Sequence, residues 1–181
     1  MTLATLALVA VLGASEAGPV TTLRTGSFAF ELEVVVPTSP ADTWKAFTEE
    51  TLEWWDHHFS EHPKKLSFDT RPGGGLVEVF DDEGNGAWHA TVILAERPSR
   101  LRFTGPLGLS GSAIDMVHSL ELEPVPEGTK VKLEVHAVGE IPPSAGDVVR
   151  RVWNHFLVER FKPYLVGKAG KAAPKAPAPG P

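Results

Sequence analysis

The sequence predicts an α+β domain: a curved, seven-stranded antiparallel sheet wrapped around a long C-terminal helix, with two short helices after the first strand. Three observations lead there. Between Ser144 and Leu165, the residues Val148, Val149, Val152, Trp153, Phe156, Leu157, Phe161 and Tyr164 recur at spacings of three and four, with polar residues filling the gaps, which is a helix with a broad apolar face. Nearly every other apolar run alternates at period two, as half-buried strands do. A helical face that wide needs a surface of matching size to bury it, and a sheet built from those strands is the only one the chain offers.

The elements follow in order. Residues 1–17 hold an apolar run from Leu3 to Leu12 and then small residues, with Ser15 and Ala17 at the small positions of a cleavage site. This reads as a secretory signal peptide, too short to span a bilayer permanently. No Lys or Arg precedes the run, which leaves an apolar arm packed on the domain, or a membrane tether, as the other readings. Residues 18–26 form a lead-in, and 27–166 the domain. Phe28, Phe30, Leu32, Val34 and Val36 line one face of the first strand. Ser39 caps a helix that has Pro40 at its first position and Asp42 three residues on, with Trp44 and Phe47 turned inward. A second short helix carries Leu52, Trp54 and Trp55.

From Leu66 onward strands and turns alternate, with Pro72 to Gly75, Asp82 to Gly86, Arg97 to Ser99 and Pro124 to Gly128 as the turns. Pro106 to Gly111 is a loop with two leucines expected at its surface. Alternation places Ile114, Met116, His118, Leu120 and Leu122 on one face, and Val131, Leu133, Val135 and Ala137 on one face of the next strand. Ser144 is the expected N-cap of the long helix, and Pro163 is expected to loosen its last turn. Residues 167–181, rich in Ala, Pro, Lys and Gly, are expected to be disordered.

At 181 residues the chain suits one domain. With Lys168, Lys171 and Lys175 set aside from a net charge of −6, the remainder carries −9, which argues against a nucleic-acid partner. The absence of cysteine excludes disulfides, thiolate nucleophiles and cysteine-ligated metals. There is no G-x-S-x-G motif, and the Gly73-Gly74-Gly75 run precedes a strand and lacks the helix of a phosphate-binding loop.

The order of strand, two short helices, six strands and long helix resembles the START/SRPBCC superfamily, the helix-grip fold of birch-pollen-allergen-like proteins. Within it, the chain is most similar to the branch of homologues of the activator of the 90-kDa heat-shock-protein ATPase. The likeness is carried by the opening strand running into PTSPADTWKAFTEE, the Trp54-Trp55 pair, the Arg71 to Gly75 turn and the stretch Val92 to Phe103. The resemblance implies a cavity between the helix and the concave sheet face, used across the superfamily for sterols, lipids, aromatic hormones and polyketides. The residues placed nearest that cavity are Trp55, Ile114, Met116, His118, Val152, Trp153, Phe156 and Arg160.

Three functions follow as expectations. The first is an exported, non-enzymatic carrier or sensor of a small apolar or amphipathic molecule, with no cofactor and no metal, located in the periplasm or outside the cell, or in the cytoplasm if residues 1–17 are not a signal. The second is a polyketide cyclase or dehydratase using His118 as acid–base group, with Arg160 or an indole N–H orienting the substrate. The third is a protein-binding, co-chaperone-like module acting through the Pro106–Gly111 loop. Asp56, His57, His58, Glu61 and His62 are the densest group of metal-ligand types, but Pro63 and their polar setting favour a solvated helix end. His89, His136 and His155 fall on outward or polar faces and receive no role.

Overall fold

The computed structural model describes residues 18–172. Strand β1 (Gly26–Val36) leads into helix α1 (Pro40–Thr48) and a single 3₁₀ turn, Thr51–Glu53. Six strands follow: β2 (Lys65–Phe68), β3 (Gly75–Val79), β4 (Gly86–Glu96), β5 (Arg100–Thr104), β6 (Ile114–Val125) and β7 (Gly128–Gly139). They form one antiparallel sheet in the order β1-β7-β6-β5-β4-β3-β2, so α1 and the turn after it carry the chain from one edge to the other. Helix α2 (Ala145–Asn154), a π-helical segment (His155–Phe161) and helix α3 (Lys162–Ala172) run on as the C-terminal helix.

Local chemistry sets the boundaries. Ser39 Oγ accepts from the Asp42 N–H at 3.2 Å and donates to Asp42 Oδ2 at 2.7 Å, so the cap of α1 forms where the sequence puts it. Ser144 stands at the start of α2 but makes no side-chain cap, because its own backbone is already helical (φ −88°, ψ −6°) and holds the hydroxyl away from the first turn. The expected loosening at Pro163 falls one turn earlier. Lys162 donates to the Leu157 carbonyl five residues back, the wider pitch of a π-helix.

The expected disorder of residues 167–172 is corrected by the structure, which carries the helix through Ala172. Its last turns are anchored at Glu50, which accepts from the Tyr164 hydroxyl at 2.8 Å and pairs with Lys168. Burial raises the Glu50 pKa, but the Lys168 and Tyr164 contacts outweigh it and hold the carboxylate ionised. The second short helix is only the 3₁₀ turn, with Trp54 and Trp55 just after it. The expected signal segment, residues 1–17, and the rest of the expected tail, 173–181, lie outside the described residues.

The helix–sheet interface is solid at one end. Phe47, Trp54 and Phe161 meet with ring centroids 4.7 to 5.6 Å apart, and Trp54 Nε1 donates to the Ala46 carbonyl at 3.0 Å. At the other end Gly146 brings the start of α2 close to β1: a Cβ there would stand 3.1 Å from Phe28. Between these anchors the helix spans the concave face and leaves a space.

Candidate ligand cavity

The space is an apolar cavity of about 230 Å³. Its walls are Val148, Val149, Val152, Trp153 and Phe156 from the C-terminal helix, Met116 from β6, Trp55 and His57 from the loop after the 3₁₀ turn, His89 from β4, and Pro106 to Leu109. Leu109, Val148 and His57 are largely exposed and mark the mouth. An open depression on the outer face, between Trp88 and the Arg71–Gly75 turn, is larger at about 450 Å³. Its charged groups are satisfied by each other, Arg71 Nε donating to Asp69 Oδ1 at 3.0 Å, so the helix–sheet cavity is the more closely shaped site.

Of the eight residues placed near a cavity from the sequence, Trp55, Met116, Val152, Trp153 and Phe156 line it. Trp55 and Phe156 stack at 3.9 Å, with Trp153 edge-on to both. Trp55 Nε1 donates to the His57 carbonyl at 2.9 Å, so that indole N–H is not free for a ligand. Ile114, His118 and Arg160 are not in the lining. Ile114 is the first residue of β6 and packs against the core from the sheet's end. Arg160 points away, its Nε 3.2 Å from Asp56 Oδ2 and 3.4 Å from the Trp54 carbonyl.

His118 faces the helix as alternation predicts, but behind the cavity wall. Its ring lies flat on Phe103 at 4.7 Å and is covered by Trp153 at 5.4 Å. It is fully buried, and neither ring nitrogen has a well-formed hydrogen bond. Burial drives its pKa down to about 3, with the Phe103 backbone opposing only weakly, so the ring is neutral at physiological pH. A histidine sealed in this way does not reach an occupant of the cavity, which removes the geometry that an acid–base role required.

His89, expected on an outward face, is instead buried and lines the cavity. The cause is a β-bulge. Leu76 pairs with Ala90 and Val77 with Trp88, leaving His89 as the extra residue of β4, so His89 and Ala90 are both buried in succession. A bulge of this kind re-aims one side chain and bends the strand. Gly105, with φ +152°, lets the following loop pass against it; a Cβ there would stand 2.6 Å from the His89 carbonyl oxygen. The bulged ring meets Glu78 of β3, with His89 Nε2 to Glu78 Oε2 at 2.9 Å. The Phe59 and Ser60 N–H groups donate to Glu78 Oε1 at 3.0 and 2.9 Å. Burial raises the Glu78 pKa, but these donors outweigh it and keep the carboxylate ionised. No residue type near Trp88-His89-Ala90 announces the bulge.

The leucines of the loop are also partly corrected. Leu107 is buried, its backbone turned into the left-handed region at φ 51°, and only Leu109 is exposed. At the rim, Asp56 gathers His57 Nδ1 at 3.0 Å, His155 Nε2 at 2.9 Å and Arg160 Nε at 3.2 Å, while Glu159 takes His155 Nδ1 at 2.9 Å. Asp56, His57 and His155 come within 4.8 Å of one another, so the metal-ligand types read from the sequence do converge, but on His155 rather than on His58, Glu61 and His62. Each of the three is already paired, and Arg160 stands on the same carboxylate.

A seven-stranded antiparallel sheet gripping one long helix, with a cavity between them, defines the class: a helix-grip domain of the START/SRPBCC superfamily. More narrowly, the chain belongs to the family of Activator of Hsp90 ATPase homolog 1-like proteins, whose model matches residues 37–166. Among solved structures it is similar to an uncharacterized protein from Rhizobium leguminosarum, with TM-score 0.62 and 18% identity over 81% of this chain and 99% of that one. It is also similar to a protein from Rhodobacter sphaeroides, with TM-score 0.57 and 24% identity over 81% of this chain and 99% of that one. A protein of unknown function from Staphylococcus aureus has TM-score 0.58 and 12% identity, over 81% and 98% of the two chains. At these identities the likeness is one of fold. A comparison with the curated proteins found no match. Domains of this family and fold are ligand-binding or co-chaperone-like modules. Among the described residues no helix is long and apolar enough to cross a membrane.

Proposed function

We propose that this protein is an exported carrier or sensor that holds a small apolar or amphipathic molecule between its C-terminal helix and its sheet. The observation that carries the reading is the 230 Å³ cavity itself, walled by Met116, Val149, Val152 and three aromatic side chains, and placed where the helix could otherwise have closed on the sheet. Export rests on the sequence of residues 1–17 alone. The protein-binding alternative keeps the support of the family match, but its placement on the loop is weaker, because Leu107 belongs to the cavity wall and leaves Leu109 as the single exposed leucine there.

The test is native mass spectrometry of the protein isolated from its own organism, reading the N-terminus and any bound molecule together. A chain beginning near Gly18 with an apolar compound attached supports both parts of the reading. An intact Met1 removes export, and an empty protein that also takes up no apolar probe removes the carrier. Val152→Trp is the variant that separates cavity filling from misfolding. Val152 lies on the half-buried wall, whereas Phe156 is held between Trp55, Trp153 and His57 and has no room to grow. The variant is expected to fold normally and to lose uptake.

A further inference from the structure

The cavity's polarity is concentrated at one buried point. Apart from the indoles, its polar lining side chains are His57 and His89. His57 is largely exposed at the rim and bonded to Asp56, so it faces competition from water. His89 is only 6% exposed. Its Nε2 is committed to Glu78, a fully buried carboxylate that also accepts from the Phe59 and Ser60 N–H groups. An ionised carboxylate only accepts hydrogen bonds, so in the uncharged form of the ring the proton must sit on Nε2, and Nδ1 is left with its lone pair. Among the described residues the ring's one hydrogen bond is the Nε2 contact to Glu78, and the His89 side chain forms part of the cavity lining. The β-bulge that turns His89 inward, and the glycine at 105 that makes room behind it, put this side chain in the cavity wall.

From this arrangement we infer that the Glu78–His89 pair selects what the cavity holds: a compact apolar alcohol or phenol whose hydroxyl donates to His89 Nδ1. The inference rests on the cavity being the ligand site. A cavity of about 230 Å³ lies at the small end of ligand sites and suits a compact molecule such as a single substituted ring. In so apolar a setting an occupant with no donor leaves Nδ1 desolvated and unpaired, and discrimination of about tenfold follows.

The experiment is calorimetric titration of the full chain at pH 8, where an ordinary imidazole is neutral. The probes are 4-propylphenol, its isostere 4-propyltoluene and the ether 4-propylanisole. The phenol is expected to bind about tenfold more tightly than the toluene. In His89→Leu the phenol should fall to the level of the toluene. Glu78→Gln gives the sharper result. Its carbonyl can keep the Phe59 and Ser60 donors while its amide donates to Nε2, which moves the ring proton to Nδ1 and turns the preference from the phenol toward the ether. Equal binding of phenol and toluene to the unaltered protein overturns the selection but leaves the cavity as a ligand site. Failure of all three probes overturns the cavity reading itself. The ¹⁵N shifts of His89 in the unaltered protein need no variant to fold: protonated Nε2 is expected, and protonated Nδ1 overturns the inference.

Discussion

His89 and His118 lie on the same face of the same sheet, two strands apart, and both rings are buried, yet only one of them is equipped to act. The β3–β4 wall gives His89 a carboxylate that fixes its proton on one nitrogen and leaves the other available. On the β5–β6 wall His118 has only the rings of Phe103 and of Trp153 from the helix and no hydrogen-bond partner, which makes it a neutral filler whose nitrogens cost desolvation and return nothing. Burial of a titratable group is therefore a poor guide to function on its own. What matters is whether a second group has been buried with it.

The comparison is most severely tested at Glu78. Glu78→Ala removes the acceptor of His89 Nε2 and of two backbone N–H groups at once, and the expected loss is about 3–5 kcal/mol in urea unfolding. A loss under about 1 kcal/mol would show that the loop carrying Phe59 and Ser60 finds other acceptors, and the contrast between the two walls would collapse.

His118→Leu should act in the opposite direction. It replaces two unpartnered nitrogens by carbon at similar volume, and a gain of about 1–3 kcal/mol at pH 7 is expected. The gain should grow on acidification. A ring whose pKa drops from 6.5 unfolded to about 3 folded takes up its proton only in the unfolded chain, so stability is lost as pH falls below 6.5. Glu78, with its lowered pKa, loses stability only below the ordinary carboxylate range near 4.5, so the difference between variant and parent at pH 7 and at pH 5 reads His118, since Glu78 and His155 are common to both proteins. A variant less stable than the parent at both pH values would mean that the His118 nitrogens have partners after all.

Much of this was legible before any coordinates. Alternation grouped Met116, His118 and Leu120 on one side of β6 and Val131, Leu133 and Val135 on one side of β7, and pairing joins the two sets on the same buried face, because period two is enforced wherever a sheet has a buried side. The same rule misplaced His89. A bulge adds one residue to the count, and Trp88-His89-Ala90 contains no glycine to mark it. The helix beyond Val166 escaped the sequence reading for a different reason: Gly167 and Gly170 weaken the helical preference of a short terminal stretch, and the anchor that holds it, Glu50 to Tyr164 and Lys168, lies more than a hundred residues away in sequence. The rim cluster was half legible. Asp56 and His57 are adjacent in the chain, but their third member, His155, comes from the C-terminal helix and meets them only in the fold.

That cluster supplies the smallest effect. His155 is held by Glu159 and Asp56, which raise its pKa, while His57 and Arg160 crowd the same Asp56 carboxylate. A raised folded pKa means stability that is fully present below 6.5 and is lost as pH climbs through the folded value. The sign is opposite to that of His118, so in the unaltered protein the two histidines partly mask each other between pH 6 and 8. In the His118→Leu background the mask is gone, and stability should decline by less than about 1 kcal/mol over that range, as suits a pair screened by solvent. Adding His155→Gln should flatten the profile. A decline that persists in the double variant would place the titrating group elsewhere on the rim, with His57 the next to test.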